Sequence, residues 1–168
     1  MRVEVKQAKS TDRIKLDNLM QFYIYDFSEF LPIDLDEKAS FEEEILDGFF
    51  ADPDKTPFLV QVDGLPAGFA LVSAEIVLQQ NQGGRCIKEF FIVKRYRKQG
   101  VGKTVATAIF SMYPGKWEVR VVRTNLPAKA FWERVISEYS EGRYNSEERN
   151  DEIWRGSIFS FQARATAP

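Results

Sequence analysis

The chain has 168 residues, 44% hydrophobic and 14% aromatic, a globular composition of one-domain size that sets the disordered class aside. Its 23 basic and 25 acidic side chains leave a net charge of −2, which argues against a general binder of nucleic acid or membrane. One cysteine, Cys86, and no histidine exclude an internal disulfide and any metal centre built on His or Cys clusters.

Met1 to Lys6 alternates charged and apolar residues and lacks an apolar core of the signal-peptide kind, so it reads as a first strand. No apolar run reaches the length of a membrane span, and a soluble, cytoplasmic protein is expected. Ser10-Thr11-Asp12 offers N-caps for a helix carrying Leu16, Leu19, Met20, Tyr23 and Phe27 on one face and ending before Pro32. A second helix is expected from Phe41, Ile45, Leu46 and Phe49, stopping before Pro53. Phe58 to Val62 and Phe69 to Ile76 form a hairpin about the turn Asp63 to Gly68, followed by a polar loop from Gln79 to Gly84. Ile87 to Val93 is a central strand, and Cys86 before it is a small buried hydrophobe. A helix from near Gly100 carries Val101, Val105, Ile109 and Met112 and is closed by Pro114-Gly115. Then come a strand from Trp117 to Arg123 and a helix from Asn125 to Ile136, with Asn as cap and Pro127 in the first turn. Ser137 to Asp151 is a loop with a short strand, and Trp154 to Phe161 is the closing strand. The order predicts one α/β domain with a mixed sheet over residues 1–168.

The densest chemistry lies between Lys94 and Thr104, where a basic, glycine-punctuated turn leaves the apolar run Phe90-Phe91-Ile92-Val93 and opens a helix. Free N–H groups and the positive end of the peptide dipoles make such a helix start a place to hold phosphates. Gly102-Lys103-Thr104 matches the end of a P-loop, but the glycine required five positions earlier is Arg97. The dinucleotide fingerprint fails as well, because only Gly100 and Gly102 are present where three glycines are needed. A solvated basic turn is the plainer reading of the charges alone.

The string Arg97-Lys98-Gln99-Gly100-Val101-Gly102, with a strand before it and helix, strand and helix after it, resembles the acyl-coenzyme A pyrophosphate loop of the GCN5-related N-acetyltransferase (GNAT) family. The resemblance implies a mixed, mostly antiparallel sheet flanked by about four helices, with acetyl-coenzyme A as the acyl donor. By position, Phe91, Ile92 and Val93 would follow the pantetheine arm, Ile92 and Val93 through main-chain hydrogen bonds. Arg97, Lys98, Gln99, Gly100, Val101, Gly102, Lys103 and Thr104 would surround the pyrophosphate, with Lys98 or Lys94 meeting the 3′-phosphate. Asn125 would touch the cofactor or act simply as an N-cap, and Phe131 would pack beside the cofactor or within the core.

An amine must lose a proton before attacking a thioester, which for a lysine-like amine of pKa ~10.4 costs roughly 4–5 kcal/mol at pH 7 and for an α-amino group near ~8 about 1 kcal/mol. Without histidine the expected base is Glu89, a carboxyl among apolar strand residues whose pKa burial should raise. Where many family members have Phe-Tyr on the following helix, this chain has Phe131-Trp132, and an indole N–H is a very poor acid. Either Tyr139 protonates the leaving thiolate or the thiolate departs unassisted. The aromatic, acidic stretch around Tyr23, Tyr25 and Asp26 would bind a cationic acceptor, though a buried aromatic face is the plainer reading. With no activated nucleophile, direct attack in a ternary complex on a small-molecule or peptide amine is expected, and a homodimer is left open. The rivals are a non-catalytic acyl-coenzyme A binding or regulatory module and, weaker on charge, a single-strand nucleic-acid binder using Lys94, Arg95, Tyr96 and Arg97.

Overall fold

In the computed structural model, residues 1–41 and 44–164 are described. Seven strands form one sheet in the order β1-β2-β3-β4-β5-β7-β6. They are β1 (Val3–Gln7), β2 (Lys55–Val62), β3 (Leu65–Ser73), β4 (Arg85–Ile92), β5 (Gly115–Val122), β6 (Tyr144–Asn150) and β7 (Arg155–Ala163). Every pairing is antiparallel except β4 with β5, which are parallel because α2 carries the chain back between them. The expected mixed, mostly antiparallel α/β sheet is present.

The helix count differs from expectation. Among the described residues there are three α-helices, α1 (Arg13–Phe27), α2 (Val101–Met112) and α3 (Leu126–Ser140), where about four were expected. The missing one is the helix expected from Phe41 to Phe49: Glu42 and Glu43 lie outside the described residues, and from Glu44 on the chain closes as successive turns, the N–H of Asp47 meeting the carbonyl of Glu44 and that of Phe49 meeting Leu46. Its apolar spacing expresses burial rather than helix, since Phe41, Leu46 and Phe49 are buried beneath α1. Asp47, Gly48 and Asp52 disfavour helix here.

Two apolar layers flank the sheet. On one face α1 packs Leu16, Leu19, Met20 and Ile24 against Leu59, Phe69, Leu71 and Phe91. On the other, α2 and α3 cover Val72, Ile87, Val119, Val121 and Phe159. In α2, Phe110 is buried and the expected Met112 is 48% exposed, because the stripe turns with the helix period. The β2–β3 turn is only Asp63-Gly64, both at positive φ, so β3 begins earlier than the glycine-rich sequence suggests.

Candidate active site

The site begins with an irregularity in β4. Leu71 pairs with Glu89 and Val72 with Ile87, so Lys88 is an extra residue, a bulge that bends the strand. On the other edge the parallel ladder with β5 has only three rungs, Arg85–Trp117, Cys86–Glu118 and Ile87–Val119. Beyond them the two strands part and open a cleft of about 460 Å³ that passes through the sheet. Phe90, Ala128, Trp132 and Asn125 line its α3 side, and Tyr23, Phe27, Glu89, Arg120 and Trp154 its α1 side.

Glu89 stands half-buried in this gap, and burial pushes its carboxyl up to about 7. The hydroxyl of Tyr23, one α1 turn before Phe27, donates to Oε2 of Glu89, which partly opposes that rise. Burial first, then the Glu89 charge, raises the Tyr23 phenol well above its ordinary value, so it remains a donor.

Behind the gap lies the basic turn. Gly100, the residue before α2, is left-handed at φ 83, and a Cβ built on it meets nothing within 4 Å. No side chain caps the helix, so the first-turn N–H groups of Val101, Gly102 and Lys103 have no acceptor within it. Lys98 is also left-handed at φ 60, so two residues of the turn take the backbone region from which anion-binding nests are built. Val101 is buried and anchors the turn, while Phe131 stacks on Phe90 and lies 3.1 Å from where a Cβ on Gly102 would sit.

Several expected residues are placed differently. The Val93 N–H is taken by the Ala67 carbonyl and the Val93 carbonyl already accepts from Tyr96, so only that carbonyl's second lone pair is open to a ligand. The Ile92 carbonyl accepts from Arg97 Nε at 2.6 Å. Phe91 and Ile92 turn their side chains into the core. Asp26 does not line the cleft; it bonds Arg97 and sits 3.1 Å from Lys94, binding α1 to the basic turn. Burial pushes its carboxyl up, but the bonds from Arg97 and Lys94 prevail and hold it below its usual range. Tyr25 is 65% exposed, roughly on the opposite side of α1 from Tyr23 and Phe27. Tyr139 lies at the far end of α3, where its hydroxyl meets the Arg164 carbonyl at 3.2 Å and its ring packs on Phe110, away from Glu89. Lys103 pairs with Glu138, Gln99 donates to the Arg95 carbonyl, and Lys98 and Thr104 are exposed. Asn125 does cap α3, accepting from the Ala128 N–H at 3.0 Å, and lines the cleft as well.

Two cleft residues escaped the sequence reading, Arg120 on β5 and Trp154 before β7. The signal for Arg120 was present: Glu118 and Arg120 alternate with Val119 and Val121, a pattern that ordinarily marks a solvated strand face. Instead Glu118 is fully buried and accepts from the N–H groups of Val77 and Leu78 and from Asn81.

No helix among the described residues is long and apolar enough to cross a membrane. No curated protein sequence matches the chain. The model of the acetyltransferase (GNAT) family matches residues 17–136. Among solved structures, the chain is similar to an acetyltransferase of the GNAT family from Staphylococcus aureus Mu50, at 13% identity and TM-score 0.65, covering 97% of this chain and 100% of that one. It is similar to aminoglycoside acetyltransferase AAC(6')-Ib in complex with coenzyme A, at 12% identity and TM-score 0.68 over 96% and 95% of the two chains. A third is the PaiA N-acetyltransferase from Thermoplasma acidophilum in complex with coenzyme A, at 11% identity and TM-score 0.64 over 96% and 99%. At such identities these structures share the fold, and the family match spans well over half of the sequence. The chain belongs to the GNAT family of acetyltransferases.

Proposed function

We propose that the protein transfers an acetyl group from acetyl-coenzyme A to a primary amine by direct attack in a ternary complex, as one domain. The observation that carries this reading is the parting of β4 and β5 after Ile87 and Val119, with Glu89 in the gap and the uncapped start of α2 behind it. The fold matches proteins solved with coenzyme A, and the turn fits its diphosphate: open space at Gly100 and three unused first-turn amides suit a bulky anion. Val101, Gly102 and Lys103 would hold the diphosphate through their N–H groups. Arg97 and Lys94 would add charge, shared with Asp26.

Acetyl-coenzyme A would supply an activated acyl carbon and a thiolate leaving group. Glu89, near half-ionised at pH 7, accepts the proton of the acceptor ammonium, while Tyr23 holds Oε2 and leaves Oε1 for that task. The neutral acceptor nitrogen adds to the acyl carbon, the C–S bond then breaks with its electron pair leaving on sulfur, and the second proton of the new amide nitrogen goes to that thiolate, giving the free thiol. A thiol of ordinary pKa about 8.5 is a good enough leaving group without an acid, which suits a cleft that Tyr139 does not reach and where Trp132 offers only an indole.

Gly100→Asp and Gly100→Asn test the diphosphate site, since both side chains tolerate the left-handed backbone and differ by one charge. Calorimetry with acetyl-coenzyme A should show affinity lost by at least about tenfold in Gly100→Asp relative to Gly100→Asn, about 1.4 kcal/mol. Equal affinities would refute the placement. Acceptor-dependent thiol release separates an enzyme from a module that only binds.

A further inference from the structure

The α1 side of the cleft holds a cation that the reaction does not use. Arg120 lies on β5 just past the last rung shared with β4, half-buried, with its guanidinium carbon 5.7 Å from the centre of the Trp154 ring. Among the described residues its one hydrogen-bond partner is the sulfur of Cys86 at 3.5 Å and no carboxylate lies within ion-pair distance, although its charge, like that of Lys88, reaches Glu89 and lowers that carboxyl. Carboxylates nearby are committed elsewhere. Glu118, two residues back on the same face, is spent on the Val77 and Leu78 amides and Asn81. Glu75 is held by Lys88 and by Lys55 at 3.2 Å, and Glu89 by Tyr23. The Trp154 indole N–H is covered and has no acceptor. A partly desolvated guanidinium without an anion is costly, and its planar fork matches a carboxylate in two-point contact.

The surplus positive charge also works against some acceptors. A polyamine or an aminoglycoside would bring several ammonium groups toward Arg120, Lys88 and Lys55, and the carboxylates among the described residues lining the cleft are Glu75 and Glu89 alone.

We propose that the acceptor is a small amine that itself carries a carboxylate, an amino acid or a close analogue, with its carboxylate on Arg120 and its amine turned to Glu89. This rests on the acetyl-transfer reading and names its substrate class. Approach from the α1 side would leave the α3 side of the same opening to the acyl donor, so both enter one gap from opposite faces.

The test is a thiol-release assay with acetyl-coenzyme A on the full chain, using amino acids, their α-carboxamides and their decarboxylated amines as matched sets. The carboxamide's amine is the weaker base and more often neutral at pH 7, so a preference for the acid cannot arise from intrinsic reactivity. Expected is kcat/KM at least tenfold higher for the best acid than for its amide or amine. Arg120→Gln should bring that ratio toward one, mainly by raising KM for acids, and Arg120→Lys should fall between. Decarboxylated amines or amides used as well as acids by the wild type would overturn the proposal and leave acetyl transfer standing. An Arg120→Gln variant that lowers all three classes alike would do the same. No release from any member, with acetyl-coenzyme A still bound by calorimetry, would overturn the enzymatic reading together with it.

Discussion

Glu89 owes its chemistry to a bulge. One extra residue at Lys88 sets Glu89 on the α1 face of β4, where burial raises its carboxyl to about 7 from an ordinary 4.5. This has a stability consequence whose sign follows from proton counts. Between those two values the folded chain holds a proton that the unfolded chain has released, so folding weakens as pH rises from 4.5 to 7 and changes no further above it. The difference amounts to about 3 kcal/mol at most. Glu89→Gln should therefore match the wild type near pH 4.5 and exceed it in urea denaturation at pH 8, and parallel curves at both pH values would contradict the burial argument. Tyr23→Phe acts the other way on the same carboxyl. Removing the phenolic donor takes away the largest of the influences that lower its pKa, leaving the charges of Lys88 and Arg120, so the acidic limb of the kcat profile should move to higher pH while acetyl-coenzyme A affinity holds. An unmoved limb would mean that Glu89 is not the titrating base.

At the scale of elements, β4 depends on the neighbour that approaches it most closely. A Cβ on Gly68 of β3 would lie 2.1 Å from the Phe91 carbonyl oxygen, so the β3–β4 ladder leaves no room for a side chain there. Gly68→Ala should cost about 1–3 kcal/mol or more and spread the strands that seat Glu89, lowering activity with stability. Urea midpoints and thiol release measure both, and an unchanged midpoint would show that the backbone yields freely. Legibility also divides by element. The turn from Arg97 to Gly102 could be read from sequence because its geometry is local, with glycine, cation and helix start within a few residues. Glu89 was legible as a charge in an apolar strand. The residues from Glu44 to Phe49 are turns where a helix is expected, since apolar residues at helical spacing bury equally well from a chain of turns. Three expected residues sit elsewhere for different reasons: helix rotation turns Tyr25 outward, Lys94 and Arg97 engage Asp26, and Tyr139 lies two turns beyond Trp132 at the end of α3.

Across the molecule, the roles of Arg120 and Trp154 come from tertiary arrangement: the alternation around Arg120 marks a charged strand face, but nothing local says that this face opens on a cleft. They meet Glu89 because β4 and β5, some thirty residues apart, run side by side and then separate. Net charge shows the same contrast: −2 overall, yet a basic turn on one side of the gap and a lone guanidinium on the other. Among the described residues, the three rungs between β4 and β5 are also the one strand ladder joining the four-stranded half of the sheet to the three-stranded half. A long, thin occupant laid along that opening would serve as mortar between two slabs, so grip on the ligand and stiffness of the whole body rise together. The shortest ladder of the sheet runs along the line where the cleft opens.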